Sequence, residues 1–145
     1  MIQRIQTIFL LLAAACFAIL FITPMATSDK PTAQFLSDKV YTVQDHIALL
    51  GLTILGATIA IVTIFLYNNR KLQIKLGYGI MLMAIVLSLM SFLFLTNDTV
   101  NQDTTAQIHD QWGMFIPLVS VLLAVLANHY IRKDDQLVKS MDRLR

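Results

Sequence analysis

The sequence predicts an all-α, polytopic membrane protein with four transmembrane helices in a single domain, residues 1–145. Hydrophobic residues make up 57% of the chain and charged residues 14%, against roughly 45–50% and about 25% in an ordinary soluble domain. Four long apolar runs follow one another, and none of them contains Asp, Glu, Lys or Arg. A soluble protein of 145 residues would have almost no polar surface left to cover four such helices.

The first apolar run covers residues 7–22, "TIFLLLAAACFAILFI". A short apolar run behind a basic residue such as Arg4 is also typical of a secretory signal, and Ala26-Thr27-Ser28 offers a weak cleavage site. We expect a retained first helix, with a cleaved signal as the alternative.

The other three runs cover residues 47–67, 76–95 and 112–131. Each matches the roughly 20 residues that a helix needs to cross about 30 Å of hydrocarbon. The segments before the second and fourth runs, residues 23–45 and 96–111, are too short for a separate folded domain. We expect them to form small caps or contacts.

Small residues recur at helical spacing within the four runs, where they would let helix backbones approach closely in lipid. These residues are Ala14, Ala18, Gly56, Ala60, Gly77, Ala84, Ser91, Ser120 and Ala124. We expect these positions to be packing faces.

Basic residues predict the orientation in the membrane. Those on one side of the predicted spans are Arg4, Arg70, Lys71, Lys75, Arg132, Lys133, Lys139, Arg143 and Arg145. Lys30 and Lys39 fall on the other side. The positive-inside rule then places both termini and the middle loop in the cytoplasm.

The tail, residues 132–145, carries one apolar stripe among its charges. Leu137, Val138, Met141 and Leu144 fall on one face of a helix, so the tail predicts a short amphipathic C-terminal helix. One interpretation is that the stripe lies on the bilayer surface, where basic residues meet anionic headgroups. The other is that the stripe docks on a partner subunit.

The sequence offers little for catalysis or nucleic-acid binding. Lys and Arg are not interleaved densely with aromatic residues, which disfavours a nucleic-acid surface. Cys16 lies among apolar residues, where a thiol usually serves as packing. Neither a P-loop, a Cys pair nor a His-Glu-x-x-His motif is present. We therefore expect neither catalytic residues nor a cofactor.

Two histidines support an alternative function. His46 opens the second span next to Asp45, and His109 shortly precedes the fourth next to Asp110. If the spans are neighbours, the two imidazoles could bind a metal or haem, or titrate together as a pH sensor. The simpler interpretation is that each is a helix cap or a loop residue.

Transport is the third class of function. A monomeric ion pathway usually carries ionisable residues within its spans, and these spans have none. A homo-oligomeric channel, with a pore shared by several copies, stays open as an alternative.

Three segments carry a resemblance to a known family: "MIQRIQTIFLLLAA", "NNRKLQIKLGY" and "ANHYIRKDDQLVKSMDRLR". Together they resemble a family of small four-helix integral membrane proteins of Bacteroidota, the domain of unknown function 4293. The resemblance covers nearly the full length. It implies the four-helix plan and an inner-membrane location, and it supplies neither an activity nor catalytic residues.

These observations favour a non-enzymatic accessory or scaffolding subunit of a larger membrane assembly. Its expected contacts are the lipid bilayer and either a membrane-protein partner or further copies of the chain. The residues expected to touch partner or lipid lie in the middle loop and the tail: Arg70, Lys71, Lys75, Arg132, Lys133, Leu137, Met141 and Leu144.

Overall fold

The fold is an antiparallel four-helix bundle with a small β-sheet at one end. A computed structural model describes residues 2–28, 38–67, 69–100 and 108–142. The helices are α1 (Ile2–Ile19), α2 (Ile47–Phe65), α3 (Arg70–Val100) and α4 (Ile116–Asp142), and the strands are β1 (Ala26–Ser28), β2 (Val40–Tyr41) and β3 (Ile108–Asp110). A 3₁₀ turn over Trp112–Met114 leads into α4.

Each helix packs against the next one in the chain, and α4 also packs against α1, so that the bundle closes. Three stretches are long and apolar enough to cross a membrane, Ile47–Phe65, Arg70–Asn97 and Trp112–Ser140. The apolar stretch of α1 is shorter, Ile5–Ile19. The described helices therefore agree with the predicted all-α class and indicate a membrane protein, with three full-length spans and a shorter first helix.

Three helices extend beyond their predicted apolar runs, and the first of them, α1, begins at Ile2 rather than at residue 7. α3 begins at Arg70 rather than at residue 76, and it continues to Val100. α4 runs without interruption through the predicted span and tail to Asp142, a length of 27 residues. The described part of the tail, residues 132–142, is therefore the last part of α4 rather than a separate helix. Residues 118–142 contain neither Gly nor Pro, so no residue with a strong helix-breaking tendency ends the helix where the apolar run ends.

The segment before α2 and the segment before α4 contribute the strands of the sheet. It is three-stranded and antiparallel, in the order β2-β1-β3. The Met25 N–H donates to the carbonyl of Tyr41 at 2.7 Å, and the Gln111 N–H donates to the carbonyl of Met25 at 3.0 Å. Met25, Tyr41 and Val43, which lie in or next to these strands, are buried. The sequence predicts a small cap here but not its strands.

In all four helices, buried positions are separated alternately by four and by three residues. This is the spacing of left-handed helix bundles, in which one face of each helix stays turned to its neighbours. The positions are Gln6, Leu10, Ala13, Phe17 and Leu20; Leu49, Thr53, Gly56, Ala60 and Thr63; Gln73, Gly77, Ile80, Ala84, Leu87 and Ser91; and Pro117, Ser120, Ala124, Ala127, Ile131 and Asp134.

Most of the small residues expected to mark packing faces are indeed buried, and Ala18 is the exception. Ala18 is exposed, because Ala14 and Phe17 occupy the inward face of α1 at that level. Phe17 lies against Gly56 of α2, where a Cβ atom would come within 2.6 Å of the ring. A glycine in α2 therefore provides the space that the largest inward side chain of α1 occupies.

This contact predicts different effects for two alanine substitutions in α2. Gly56→Ala should lower the free energy of unfolding by about 1–3 kcal/mol, since the fully buried Phe17 ring must move. Gly51→Ala is the matched control, because a Cβ there meets nothing within 4 Å. It should leave stability unchanged or raise it by up to about 1 kcal/mol through helix propensity. Unfolding of the two variants in mixed detergent and SDS micelles, followed by circular dichroism, tests this; equal stabilities would contradict the packing.

Candidate functional site

Buried polar side chains collect at the end of the bundle opposite the sheet, where α1 and α3 begin and α2 and α4 end. We call this group the polar layer; it consists of Gln6, Thr63, Arg70, Gln73, Asn128 and Asp134. Buried polar groups are costly unless they are hydrogen-bonded, so their contacts indicate what this end of the bundle does.

Two amide side chains connect neighbouring helices. Nε2 of Gln73 donates to the carbonyl of Thr63 at 3.2 Å, which joins the start of α3 to the last turns of α2. Nδ2 of Asn128 donates to the carbonyl of Ile74 at 3.3 Å, which joins α4 to α3. These bonds fix the relative heights of three helices at this end.

The Asn128 contact depends on a glycine opposite it. A Cβ atom at Gly77 would lie 2.0 Å from Oδ1 of Asn128. The absence of a side chain at position 77 therefore allows the amide to lie directly against α3, in reach of the Ile74 carbonyl. Gly77 was expected as a packing position, whereas Asn128 was not singled out from the sequence.

An ion pair holds the tail part of α4 against the start of α3. Nη2 of Arg70 lies 3.1 Å from Oδ2 of Asp134, and Nη1 donates to the backbone carbonyl of Asp134 at 3.4 Å. The two side chains are only 20% and 13% exposed. The middle loop and the tail, which are far apart in sequence, therefore form one connected surface.

The structure separates the residues expected to touch partner or lipid into two groups. Arg70 faces inward to Asp134, so its charge is used within the chain. The other described side chains are exposed: Lys71, Lys75, Arg132, Lys133 and Leu137. The side chain of Met141 and the whole of Leu144 lie outside the described residues.

Arg132 is held in place by a tyrosine of α3. Its guanidinium carbon lies 5.6 Å from the centre of the Tyr78 ring, and Nη2 donates to the Tyr78 hydroxyl. A cation within about 6 Å of an aromatic ring centre is attracted to the ring. Its side chain therefore has a preferred position at the surface between α3 and α4.

The two histidines at the sheet end have structural contacts. His46 is the N-cap of α2, where its Nδ1 accepts a hydrogen bond from the Ala48 N–H at 3.3 Å. Its ring stacks on Phe94 of α3, with 3.9 Å between the ring centres. His109 belongs to β3 and pairs in register with Thr27 of β1. Within the described ranges, no three His, Cys, Asp or Glu side chains are grouped closely enough to hold a metal ion.

Comparison with known proteins places the chain in a family. The sequence model described as "Domain of unknown function (DUF4293)" matches residues 2–144. The chain belongs to this family. Searches of curated proteins and of solved structures found no match. Since the family description gives no activity, the function of this family member has to be argued from its own surfaces.

The Arg70–Asp134 pair predicts an energetic coupling between loop and tail. Arg70→Gln and Asp134→Asn should each lower the free energy of unfolding by about 1–3 kcal/mol, between the values for exposed and for buried ion pairs. The double variant should lower the free energy of unfolding by less than the sum of the two single effects, because either substitution alone already breaks the ion pair. The same measurement in detergent and SDS micelles would give the coupling energy.

Asp135 and Lys139 provide the matched control one residue further along α4. They form an ion pair four residues apart on the same helix, with the lysine side chain 62% exposed. A cycle with Asp135→Asn and Lys139→Gln should therefore show little or no coupling. Similar couplings in the two cycles would show that Arg70 does not clamp the tail.

Proposed function

We propose that this family member is a non-enzymatic accessory or scaffolding subunit of a larger assembly in the inner membrane of a Bacteroidota bacterium, with both termini in the cytoplasm. The observation that carries the proposal is the course of α4, which continues as one helix beyond the apolar run and is clamped to α3 by Arg70. A helix fixed in this way is a ready surface for another protein.

The distribution of polar groups supports a contact function over catalysis. Gln73 and Asn128 use their amide N–H groups to join helices, and Thr53 and Thr63 donate to carbonyls of their own helix. The two amide contacts are an ordinary means by which helices associate in lipid, whereas the two threonine bonds satisfy the hydroxyl groups within α2. These four side chains therefore serve the architecture of the bundle.

The exposed surface of the tail combines charge with an apolar side chain. Lys133 and Lys139 are exposed, and Leu137 is 42% exposed on the same helix. A partner of complementary chemistry would present an apolar groove with acidic residues at its rim. Amphipathic helices commonly bind in grooves of this kind. We expect that partner to be a membrane protein, since α4 reaches the surface directly from the bilayer.

Substitutions on the apolar stripe test the partner contact. Leu137→Ser, Met141→Ser and Leu144→Ser together should release a partner that co-purifies with the native chain from membranes in mild detergent, because the apolar anchors of the contact are lost. Insertion in the membrane should be unchanged, since the spans are intact. Mass spectrometry and native gels of the tagged proteins measure both.

The matched control lies on the adjacent face of the same helix. Gln136→Ser and Arg143→Ser, together with the native Ser140, place serines at the same spacing rotated by one residue. This variant should retain the partner. Equal retention by both variants would contradict docking through the stripe, and a native chain that purifies only with further copies of itself would contradict the accessory role.

Reporter fusions test the proposed orientation. Alkaline phosphatase, which is active only outside the cytoplasm, should be active when fused after Asp45 and inactive after Asn69. A fluorescent protein at Arg145 should fluoresce, because the tail is expected in the cytoplasm by the positive-inside rule. The opposite pattern at these three positions would show that the basic loop and tail face outward.

A further inference from the structure

The surface between α3 and α4 near the polar layer contains a groove that neither the family description nor the proposed contact with a partner explains. The groove has a volume of about 230 Å³ and is lined by Tyr78, Met81, Val125, Asn128, His129 and Arg132. It opens towards the outside of the bundle, so that a molecule in the surrounding bilayer can reach it. Its two ends differ in chemistry.

One end of the groove is polar and positively charged. Arg132 lies next to the Tyr78 ring and donates to its hydroxyl, and His129 lines the same end. A second depression of about 390 Å³ continues this end along α4 to Lys133 and Gln136. Two cations therefore flank a shallow, water-accessible surface where the apolar run of α4 ends.

Within the described part of the chain, neither Arg132 nor Lys133 forms an ion pair with a carboxylate. Among the residues that the structure describes, Asp134 pairs with Arg70 and Asp135 pairs with Lys139. Arg132 instead contacts an aromatic ring. The guanidinium is thus positioned beforehand, with its charge available, and a planar guanidinium is well suited to phosphate oxygens.

The other end of the groove is apolar. Met81 and Val125 line it, and Val125 precedes Arg132 by two helical turns, ~10 Å along the axis of α4. That direction leads from the membrane surface towards the middle of the bilayer. A ligand that fills the groove would therefore be anionic at one end and hydrocarbon at the other.

We propose that this groove is a binding site for an anionic phospholipid, with its phosphate on Arg132 and Lys133 and one acyl chain along Met81 and Val125. Basic pockets between transmembrane helices recognise such headgroups. The occupant is a lipid of the bilayer rather than free phosphate, because the apolar end has no role in binding an inorganic ion. The site does not depend on the presence of a partner protein.

Native mass spectrometry of the full-length chain, delipidated in detergent and mixed with phosphatidylglycerol, tests the site. The native chain should retain one phosphatidylglycerol at concentrations where phosphatidylcholine is not retained and inorganic phosphate does not displace the lipid. Arg132→Gln should weaken retention about tenfold or more, since a charge-assisted contact is lost. Retention by Arg132→Lys should fall between that of the native chain and that of Arg132→Gln, because lysine retains the charge but lacks the planar guanidinium.

A pair of tryptophan substitutions tests the apolar end. Val125→Trp should fill the groove and reduce retention, whereas Leu126→Trp, on the neighbouring lipid-facing position, should not. Both residues are about half exposed, so neither change should disturb the packing of the bundle. Equal retention by the two tryptophan variants, native-like retention by Arg132→Gln, equal binding of phosphatidylcholine, or displacement by phosphate would overturn the proposal. None of these outcomes bears on the release of a partner by the tail variants.

Discussion

Close approach of helix backbones at small inward residues is the constraint on which this structure depends. In lipid, helices gain little from hiding apolar side chains, because the surrounding hydrocarbon is as apolar as the protein interior. Dispersion contacts between closely packed surfaces must supply the association instead. The inward positions accordingly include Ala13, Gly56, Ala84 and Ala124, whereas large apolar residues such as Leu122 and Phe92 face outward. Unlike a soluble bundle, this one therefore has large apolar side chains on its outer surface as well as in its interior.

The spacing of the inward positions then determines how far this packing can extend. Alternating steps of four and three keep one face of each helix in contact over its whole length, as in a left-handed supercoil. Such packing alone fixes the register, the relative height of neighbouring helices, only weakly. The small inward residues at different levels of a helix offer similar contacts. The polar layer adds register, since Gln73 and Asn128 each reach one particular carbonyl on a neighbouring helix. The Arg70–Asp134 pair extends the same register into the tail.

The sequence predicts the parts of this fold that depend on local composition. The apolar runs locate the helices, and repeated small residues identify most inward faces, with Ala18 as an error because Ala14 and Phe17 supply the inward contacts there. The helix ends are predicted less well, since polarity marks the membrane border and not the end of backbone hydrogen bonding. Contacts such as Gln111 to Thr27 and Arg70 to Asp134 join residues separated by 84 and 64 positions. Neither contact has a signature in a single sequence. Asn128, a polar residue inside the last apolar run, is by contrast a sequence feature that indicates a polar contact.

The distribution of charged residues limits which surfaces of the chain can bind other molecules. The predicted spans contain no Asp, Glu, Lys or Arg, and the described polar groups within the bundle are used largely for packing. We therefore expect interaction with other molecules at the ends of the bundle and on its lipid-facing surface. At the polar end, internal ion pairs occupy Asp134 and Asp135 but leave Arg132 and Lys133 exposed. This selective neutralisation gives α4 a positive face at the level where phospholipid phosphates and the acidic rim of a membrane partner would both meet it. Because that face lies on a helix clamped by Arg70, neither contact would have to order a flexible segment first, and the entropic cost of binding would be correspondingly small.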